Sequence, residues 1–453
     1  MMERRTSNEY RRMTLYLRSL ERLGIKLGLE NISRLLEAIG APHRKFPAIL
    51  IGGTNGKGSV AAMLASILEQ AGVHTGLYTS PHLIRLEERI VTGGRPIPPD
   101  QLAAKILSLR ETIHALFHSG ALKTLPTFFE VTTAAALSYF HDDGVQIAIL
   151  EVGMGGRFDA TNAVDPLFSI ITPVELDHQE FLGSTLSVIA GEKLGILRPS
   201  GLLLSGAQHS EVRHTIERAC RKRGAIHMEA LQAVRVVHCP SGMVSFLGRK
   251  MEIPPLLPAL PGEHQLDNAA TAVAACEILA GRGFQIPPNA IQAGLASVQW
   301  PGRLQRISGR PAWLLDGAHN PAATRSLAAY LARQTDKRPP VLIFGALREK
   351  DHEGMLRYLS PHCSHLFLCL PPSGRAAERK ALIDSARRVG LRFSWMDSLR
   401  EAAVAADRTA GSTGTVLVTG SLYLVGEALR LKTEEPMAKR RSASPRTAPF
   451  PPG

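Results

Sequence analysis

The chain has 453 residues, 44% of them hydrophobic and 21% charged, with a formal net charge of +13. That length is too great for one ordinary domain and suits two, the composition is that of a globular enzyme, and no apolar run approaches the ~20 residues that cross a bilayer. The basic residues are scattered apart from Arg4, Arg5, Arg11 and Arg12 at one end and Lys439, Arg440 and Arg441 at the other; without interleaved aromatics, a small acidic substrate explains this charge at least as well as nucleic acid, and most of the surplus reads as solvated surface.

The first dozen residues are polar and basic with no apolar stretch behind them, unlike a secretory signal. Residues 10–46 predict two helices: Leu15, Leu20 and Leu23 recur at helical spacing before Gly24, and Asn31 is placed to cap a second helix that Gly40 and Pro42 stop. A short apolar strand over 48–51 runs into a glycine-rich loop, and an amphipathic helix over 60–70 follows, closed by Gly72. Further strands are predicted over 76–79, 147–152 and 168–172, with long helical stretches between them. This alternation predicts an α/β fold with a parallel doubly wound sheet. Residues 233–253 differ and predict a small antiparallel insert, with a turn at Pro240-Ser241-Gly242. An Ala-rich helix is expected over 268–280.

After Trp300, Pro301 and Gly302 break the periodic pattern and mark a domain boundary. The expected arrangement is a P-loop domain over 1–299 and a smaller Rossmann-like α/β domain over 300–433. The second has strands over 313–315, 341–344, 366–370, 392–395 and 416–418. Residues 434–453, rich in Pro, Ser and basic residues, predict a disordered tail. The five cysteines form no C-x-x-C pair, which predicts free thiols in a reducing cytoplasm. Cys363, His365 and Cys369 lie close in sequence, but a buried strand over 365–370 favours core packing over metal binding.

The sharpest chemical signal is Gly52-Gly53-Thr54-Asn55-Gly56-Lys57-Gly58-Ser59 between strand and helix. Glycines let backbone N–H groups turn toward an anion, the helix start adds a positive dipole, and Lys57 reaches the outer phosphates. The strict Walker pattern is not met: Ile51 stands where it wants Gly, and Gly58 where it wants Ser or Thr, with Ser59 one position late.

This loop resembles the variant P-loop of the folylpolyglutamate synthases and dihydrofolate synthases, within the Mur ligase superfamily. Ser80-Pro81-His82-Leu83 resembles that family's second loop, and Glu151-Val152-Gly153-Met154-Gly155-Gly156-Arg157-Phe158-Asp159-Ala160-Thr161-Asn162 its metal-binding segment. Leu176-Asp177-His178, Glu192-Lys193-Leu194-Gly195-Ile196, Pro301-Gly302-Arg303, Asp316-Gly317-Ala318-His319-Asn320-Pro321 and the run 420–426 follow in the family's order. Two departures stand out: Glu175, where the family usually has a small neutral residue, and Leu194, where it commonly has Ala.

The resemblance implies an ATP-dependent ligase that joins L-glutamate to dihydropteroate, or to the γ-carboxyl of reduced folates, through an acyl phosphate. It implies that Asn55, Gly56, Lys57, Gly58 and Ser59 hold the phosphates, and that Asn268, Arg303 and Asp316 contact the nucleotide between the domains. Ser80 and Glu151 would be ligands of one Mg²⁺ and His178 of a second, although imidazole is not a favoured magnesium ligand. Lys193 would carry a carbamate, and His319 would help seat glutamate or orient phosphate. Thr127, Phe128, Phe129, Glu130, Phe158, Asp159 and Ala160 would contact the pterin, the aromatics having core packing as the other reading. Asn268 could otherwise be a plain helix N-cap, and a monomer is expected.

A ligase of the same superfamily acting on a cell-wall nucleotide precursor is the chief alternative, but it would need an additional N-terminal domain before the loop at residue 52. A non-catalytic ATP-binding or nucleic-acid-binding protein would need a damaged metal set or a continuous basic face.

Overall fold

The computed structural model describes residues 2–22, 24, 28–334 and 338–442. The chain forms two compact units, Met1–Trp300 and Pro301–Gly453. Among the described residues no helix is long and apolar enough to cross a membrane.

The first unit is built on a sheet of eight strands: β1 (Ala48–Gly52), β2 (Thr75–Tyr78), β3 (Ile90–Thr92), β4 (Arg95–Pro96), β5 (Ile147–Glu151), β6 (Phe168–Ile171), β7 (Leu202–Ser205) and β8 (Ile226–Glu229). Their order is β4-β3-β2-β5-β1-β6-β7-β8. All neighbouring pairs from β2 through β8 are parallel, and β3 and β4 add an antiparallel edge. Every residue of β1 is buried. Its alternation feeds two cores: Ala48 and Leu50 face one layer, Ile49 and Ile51 the other. The helices Lys57–Gln70, Glu263–Ala280 and Pro288–Ser297 cover the second face. Because later strands are added on both sides of β1, the loop leaving its C-terminal end sits where an open α/β sheet places a ligand.

The insert is present as a separate three-stranded antiparallel sheet, ordered β11-β10-β9, of β9 (Arg235–His238), β10 (Val244–Leu247) and β11 (Glu252–Leu256). Pro254 and Pro255 fall in β11, an edge strand, where a missing N–H costs least.

The second unit holds β12 (Gln305–Ile307), β13 (Ala312–Leu315), β14 (Val341–Phe344), β15 (His365–Leu368), β16 (Phe393–Trp395) and β17 (Thr415–Thr419), ordered β12-β13-β17-β14-β15-β16. Only β12 runs antiparallel, against β13. Leu342, Phe344, Leu366, Leu368 and Leu417 form its core with Met355, Leu356 and Leu359 of the His352–Leu359 helix.

Three helix readings are corrected. Leu29, not Asn31, stands at the N-cap of the Glu30–Ala38 helix; Asn31 lies inside it and donates to Thr124 Oγ1 at 3.2 Å. Leu15 is 58% exposed, and the buried stripe of the first helix is Met13, Leu17 and Leu20; Leu23 lies outside the described residues. Asn268 caps nothing, because its helix begins five residues earlier at Glu263. At the far end, the Leu422–Ser442 helix runs through the first part of the stretch expected to be disordered, and 443–453 lie outside the described residues.

Candidate active site

The glycine loop is held from one side. Thr54 N and Asn55 N donate to Pro173 O at 2.9 and 3.2 Å, and Thr172 N donates to Gly52 O at 2.9 Å. Thr54 Oγ1 donates to Glu175 O at 3.1 Å and accepts from Glu175 N at 3.0 Å. Gly53 has φ +134°, and a Cβ there would collide with Thr172 Oγ1, so only glycine fits. These bonds commit the Thr54 and Asn55 amides to the protein. The N–H groups of Gly56, Lys57, Gly58 and Ser59 accept no such commitment among the described residues, and they form the first turn of the Lys57–Gln70 helix with its Gly56 cap. The backbone amides left open to an anion begin at Gly56.

Two ammonium groups meet at this loop. Lys57 Nζ donates to Gly53 O at 3.2 Å and to Thr54 O at 3.1 Å. Lys193 Nζ donates to the same Gly53 O at 2.7 Å and is buried. Lys193 ends the Leu186–Lys193 helix, capped by Thr185, whose side chain accepts from Val188 N. The two side chains thus share one backbone acceptor. Asn268 packs against Gly56 from the other side: a Cβ on Gly56 would lie 2.5 Å from Asn268 Oδ1.

Ser80 follows β2 and Glu151 ends the neighbouring β5, and parallel pairing brings them together. Ser80 N donates to Glu151 Oε2 at 3.0 Å, and Glu151 is buried. A hydroxyl beside a buried carboxylate is an all-oxygen donor set suited to Mg²⁺, which keeps most of its waters. Among the described residues no three or more His, Cys, Asp or Glu side chains gather into a metal cage. His178 has φ +51°, and its N–H donates to Asp177 Oδ1 at 2.8 Å. Its Nε2 lies 4.0 Å from Asp177 Oδ2.

The segment assigned to the pterin is largely engaged in holding itself. Thr127 and Glu130 form a capping box: Glu130 Oε2 accepts from Thr127 N at 2.7 Å and from Thr127 Oγ1 at 2.9 Å, while Glu130 N donates to Thr127 Oγ1 at 3.2 Å. Asp159 is buried and accepts from Gly153 N, Met154 N, Thr161 N and Thr161 Oγ1; burial pushes its carboxyl up, against these four bonds that favour the ionised form. Ala160 is buried beside it. The Phe129 ring wedges under Gly153 and lies 5.9 Å from the Tyr78 ring. Phe128 carries the Arg89 guanidinium 5.1 Å from its ring centroid. Of these aromatics only Phe158 is open, at 42% exposure. We expect Thr127→Ala to cost about 1–2 kcal/mol, read as a lowered urea midpoint.

Sequence reading missed Arg89, which joins two segments. Its Nε donates to His82 Nδ1 at 2.9 Å, so it ties the Ser80-Pro81-His82-Leu83 loop to Phe128. Burial, and then Arg89, push His82 down to about 4, so its imidazole is neutral at physiological pH. Glu175, the departure noted above, ion-pairs through Oε2 with His209 Nε2 at 3.0 Å.

In the second unit Arg303, Asp316 and His319 form one cluster. Asp316 is buried and accepts from Leu304 N at 2.9 Å and Ala318 N at 3.0 Å. Arg303 lies directly over Gly317, where any Cβ would meet its Nη1. His319 Nδ1 donates to Gly317 O at 2.8 Å, and Asn320 caps the Pro321–Ala332 helix by accepting from Ala323 N. This loop leaves the C-terminal end of β13, the ligand side of a parallel sheet.

The Mur ligase middle domain matches residues 51–276, and the Mur ligase glutamate ligase domain matches residues 302–422. The dihydrofolate synthase/folylpolyglutamate synthase of Bacillus subtilis is 32% identical over 413 residues, 90% of this chain and 95% of that relative. The Mycobacterium tuberculosis folylpolyglutamate synthase complexed with ADP and AMPPCP superposes with a TM-score of 0.86 at 33% identity, covering 93% of this chain and 98% of that one. The Escherichia coli FolC structure in complex with DHPP and ADP gives a TM-score of 0.83 at 31% identity, covering 94% and 98%. With both Mur domains matched in order over the motifs that build the loop, the chain belongs to the folylpolyglutamate synthase/dihydrofolate synthase family of Mur ligases and is an ATP-dependent ligase.

Proposed function

We propose that this enzyme joins L-glutamate to a carboxylate of a folate-type substrate at the expense of ATP, and that it accepts both dihydropteroate and reduced folates. One observation carries the phosphate chemistry: beside the uncommitted amides of 56–59, two lysines converge on the Gly53 carbonyl in the loop after β1. The relatives' names supply the substrate class: they include dihydrofolate synthase/folylpolyglutamate synthase, and the E. coli structure holds DHPP and ADP.

A carboxylate oxygen is a poor leaving group, so it must first be phosphorylated. The substrate carboxylate attacks the γ-phosphorus of ATP, an O–P bond forms, and ADP leaves. The glutamate amine then attacks the acyl carbon, inorganic phosphate leaves with the former carboxylate oxygen, and the amine releases its proton. Lys57 and the amides of Gly56 to Ser59 bind and align the transferring phosphate, which is most of what such a transfer asks of a protein. Ser80 and Glu151 would hold a magnesium ion, with His178 in the second metal position; magnesium supplies neutralisation of phosphate charge. A carbamate on Lys193 would replace one of two crowded cations by an anion facing Lys57. Asn268, Arg303 and Asp316 are our nucleotide contacts, and His319 our contact to glutamate or phosphate. Phe158 is our first choice for stacking on the pterin, since Glu130 and Asp159 are engaged in a helix cap and a turn. We take the enzyme to work as a monomer in the cytoplasm, where its five free cysteines would stay reduced.

The test offers dihydropteroate and a reduced folate separately with ATP, Mg²⁺ and L-glutamate, reading ADP release and product mass. Glutamylated product from each is expected. Product from reduced folate alone would leave a polyglutamylase, and product from neither would end the reading.

A further inference from the structure

The corner after β7, Gly206-Ala207-Gln208-His209, bonds to the backbone stretch that in turn holds the glycine loop. The Gln208 amide uses its capacity on one neighbouring backbone stretch. Its Oε1 accepts from Val174 N at 3.0 Å, and its Nε2 donates to Ile171 O at 3.2 Å and Thr172 O at 3.0 Å. Gly206 N adds a bond to Ile171 O at 2.9 Å. One residue on, His209 Nε2 meets Glu175 Oε2 at 3.0 Å.

The stretch gripped this way, 171–175, is the one that grips the glycine loop. Pro173 O takes the amides of Thr54 and Asn55, Thr172 takes Gly52 O, and the Glu175 backbone both donates to and accepts from Thr54 Oγ1. Pro173 has no N–H, so the direction of its carbonyl is set by the backbone on either side and by the two amides it accepts. Gln208 holds that backbone on both sides of Pro173, at Thr172 and at Val174. Asp177 and His178 follow within the same loop.

We propose that Gln208 and His209 are positioning residues for the phosphate loop, acting through residues 171–175. Gln208 sets the direction of the Pro173 carbonyl and His209 braces Glu175. The proposal rests on the reading of 56–59 as the phosphate cradle only for its effect on nucleotide; its effect on the loop stands apart from that reading. A side-chain amide suits the task because it must accept from one N–H and donate to two carbonyls at once. Leu cannot do either, and Glu keeps only the acceptor while turning an oxygen toward two carbonyl oxygens.

The experiment uses the full-length enzyme and the variants Gln208→Leu, Gln208→Glu and His209→Ala. Amide hydrogen exchange over 53–56, without nucleotide, is expected to speed up about tenfold in both Gln208 variants and to a smaller degree in His209→Ala, with the Glu263–Ala280 helix unchanged. ADP affinity, measured by calorimetry, is expected to fall about tenfold in the Gln208 variants while KM for the folate substrate moves less than about twofold. Unchanged exchange over 53–56 in a folded Gln208→Leu would overturn the proposal, as would equal losses for ADP and folate. If the Gln208 variants do not fold, His209→Ala decides it, since His209 lies on the surface: faster exchange over 53–56 supports the brace and wild-type exchange overturns it. A wild-type enzyme that binds no ADP would end the ligase reading while leaving the exchange result to judge the brace.

Discussion

Glu151→Gln is expected to lower turnover about 10²–10³-fold, the usual cost of one strong electrostatic contact at a reacting phosphate, with little change in fold. The substitution keeps shape and removes charge. The bond from Ser80 N to Glu151 Oε2 survives, because a glutamine carbonyl accepts as well as a carboxylate does. Burial makes the lost charge costly for metal binding: the carboxylate is 5% exposed, so solvent screens it little. The loss should appear as a raised magnesium requirement as well as a lower kcat, and thermal unfolding in the absence of ligands should stay close to wild type. A variant that keeps half its activity at ordinary magnesium would remove Glu151 from the metal site.

The parts of this site legible in sequence are those whose signals are local. Strand, glycine loop and helix adjoin each other over 48–70, so β1, the loop and its helix are legible from apolar spacing and glycines alone. The boundary near Trp300 shows in the Pro-Gly break, and the insert in its short alternating runs. β7 and β8 escape sequence reading: the Leu202-Leu203-Leu204 run of β7 has no β-branched or aromatic residue and fits a buried helix as well as a strand, and the edge strand β8 has Ile226 exposed at 60%, so its hydrophobic pattern is weak. The start of the Glu263–Ala280 helix was misplaced because its first turn, Glu263-His264-Gln265, is polar and its N-cap is a glycine. The capping box at Thr127 and Glu130 was readable, since Thr-x-x-Glu before an apolar run is its signature. Gln208, Pro173 and Arg89 gave no signal because their partners are backbone carbonyls, amides or rings distant in sequence. Such pairings leave no spacing to find.

Lys193→Ala is expected to lose at least about 10²-fold in turnover, and the manner of its rescue separates two chemistries. As an ammonium, Lys193 is a buried cation on Gly53 O beside a second cation, Lys57, on the same carbonyl. As a carbamate, its nitrogen can still donate to Gly53 O while the new carboxylate sets an anion beside Lys57. Small organic acids such as formate or acetate, diffusing into the space left by the side chain, would then restore part of the activity, and methylamine would not. If the working group is the ammonium, methylamine rescues and the acids do nothing. Intact mass of the wild-type enzyme at neutral pH should show one added carboxyl group on the peptide carrying Lys193, lost on acidification because carbamates decompose in acid. Fully active enzyme with an unmodified Lys193 would rule the carbamate out. The nucleotide phosphates would then bring negative charge to the two lysines, and before they bind the loop from Gly52 to Asn55 is held by its bonds to Pro173 and Thr172.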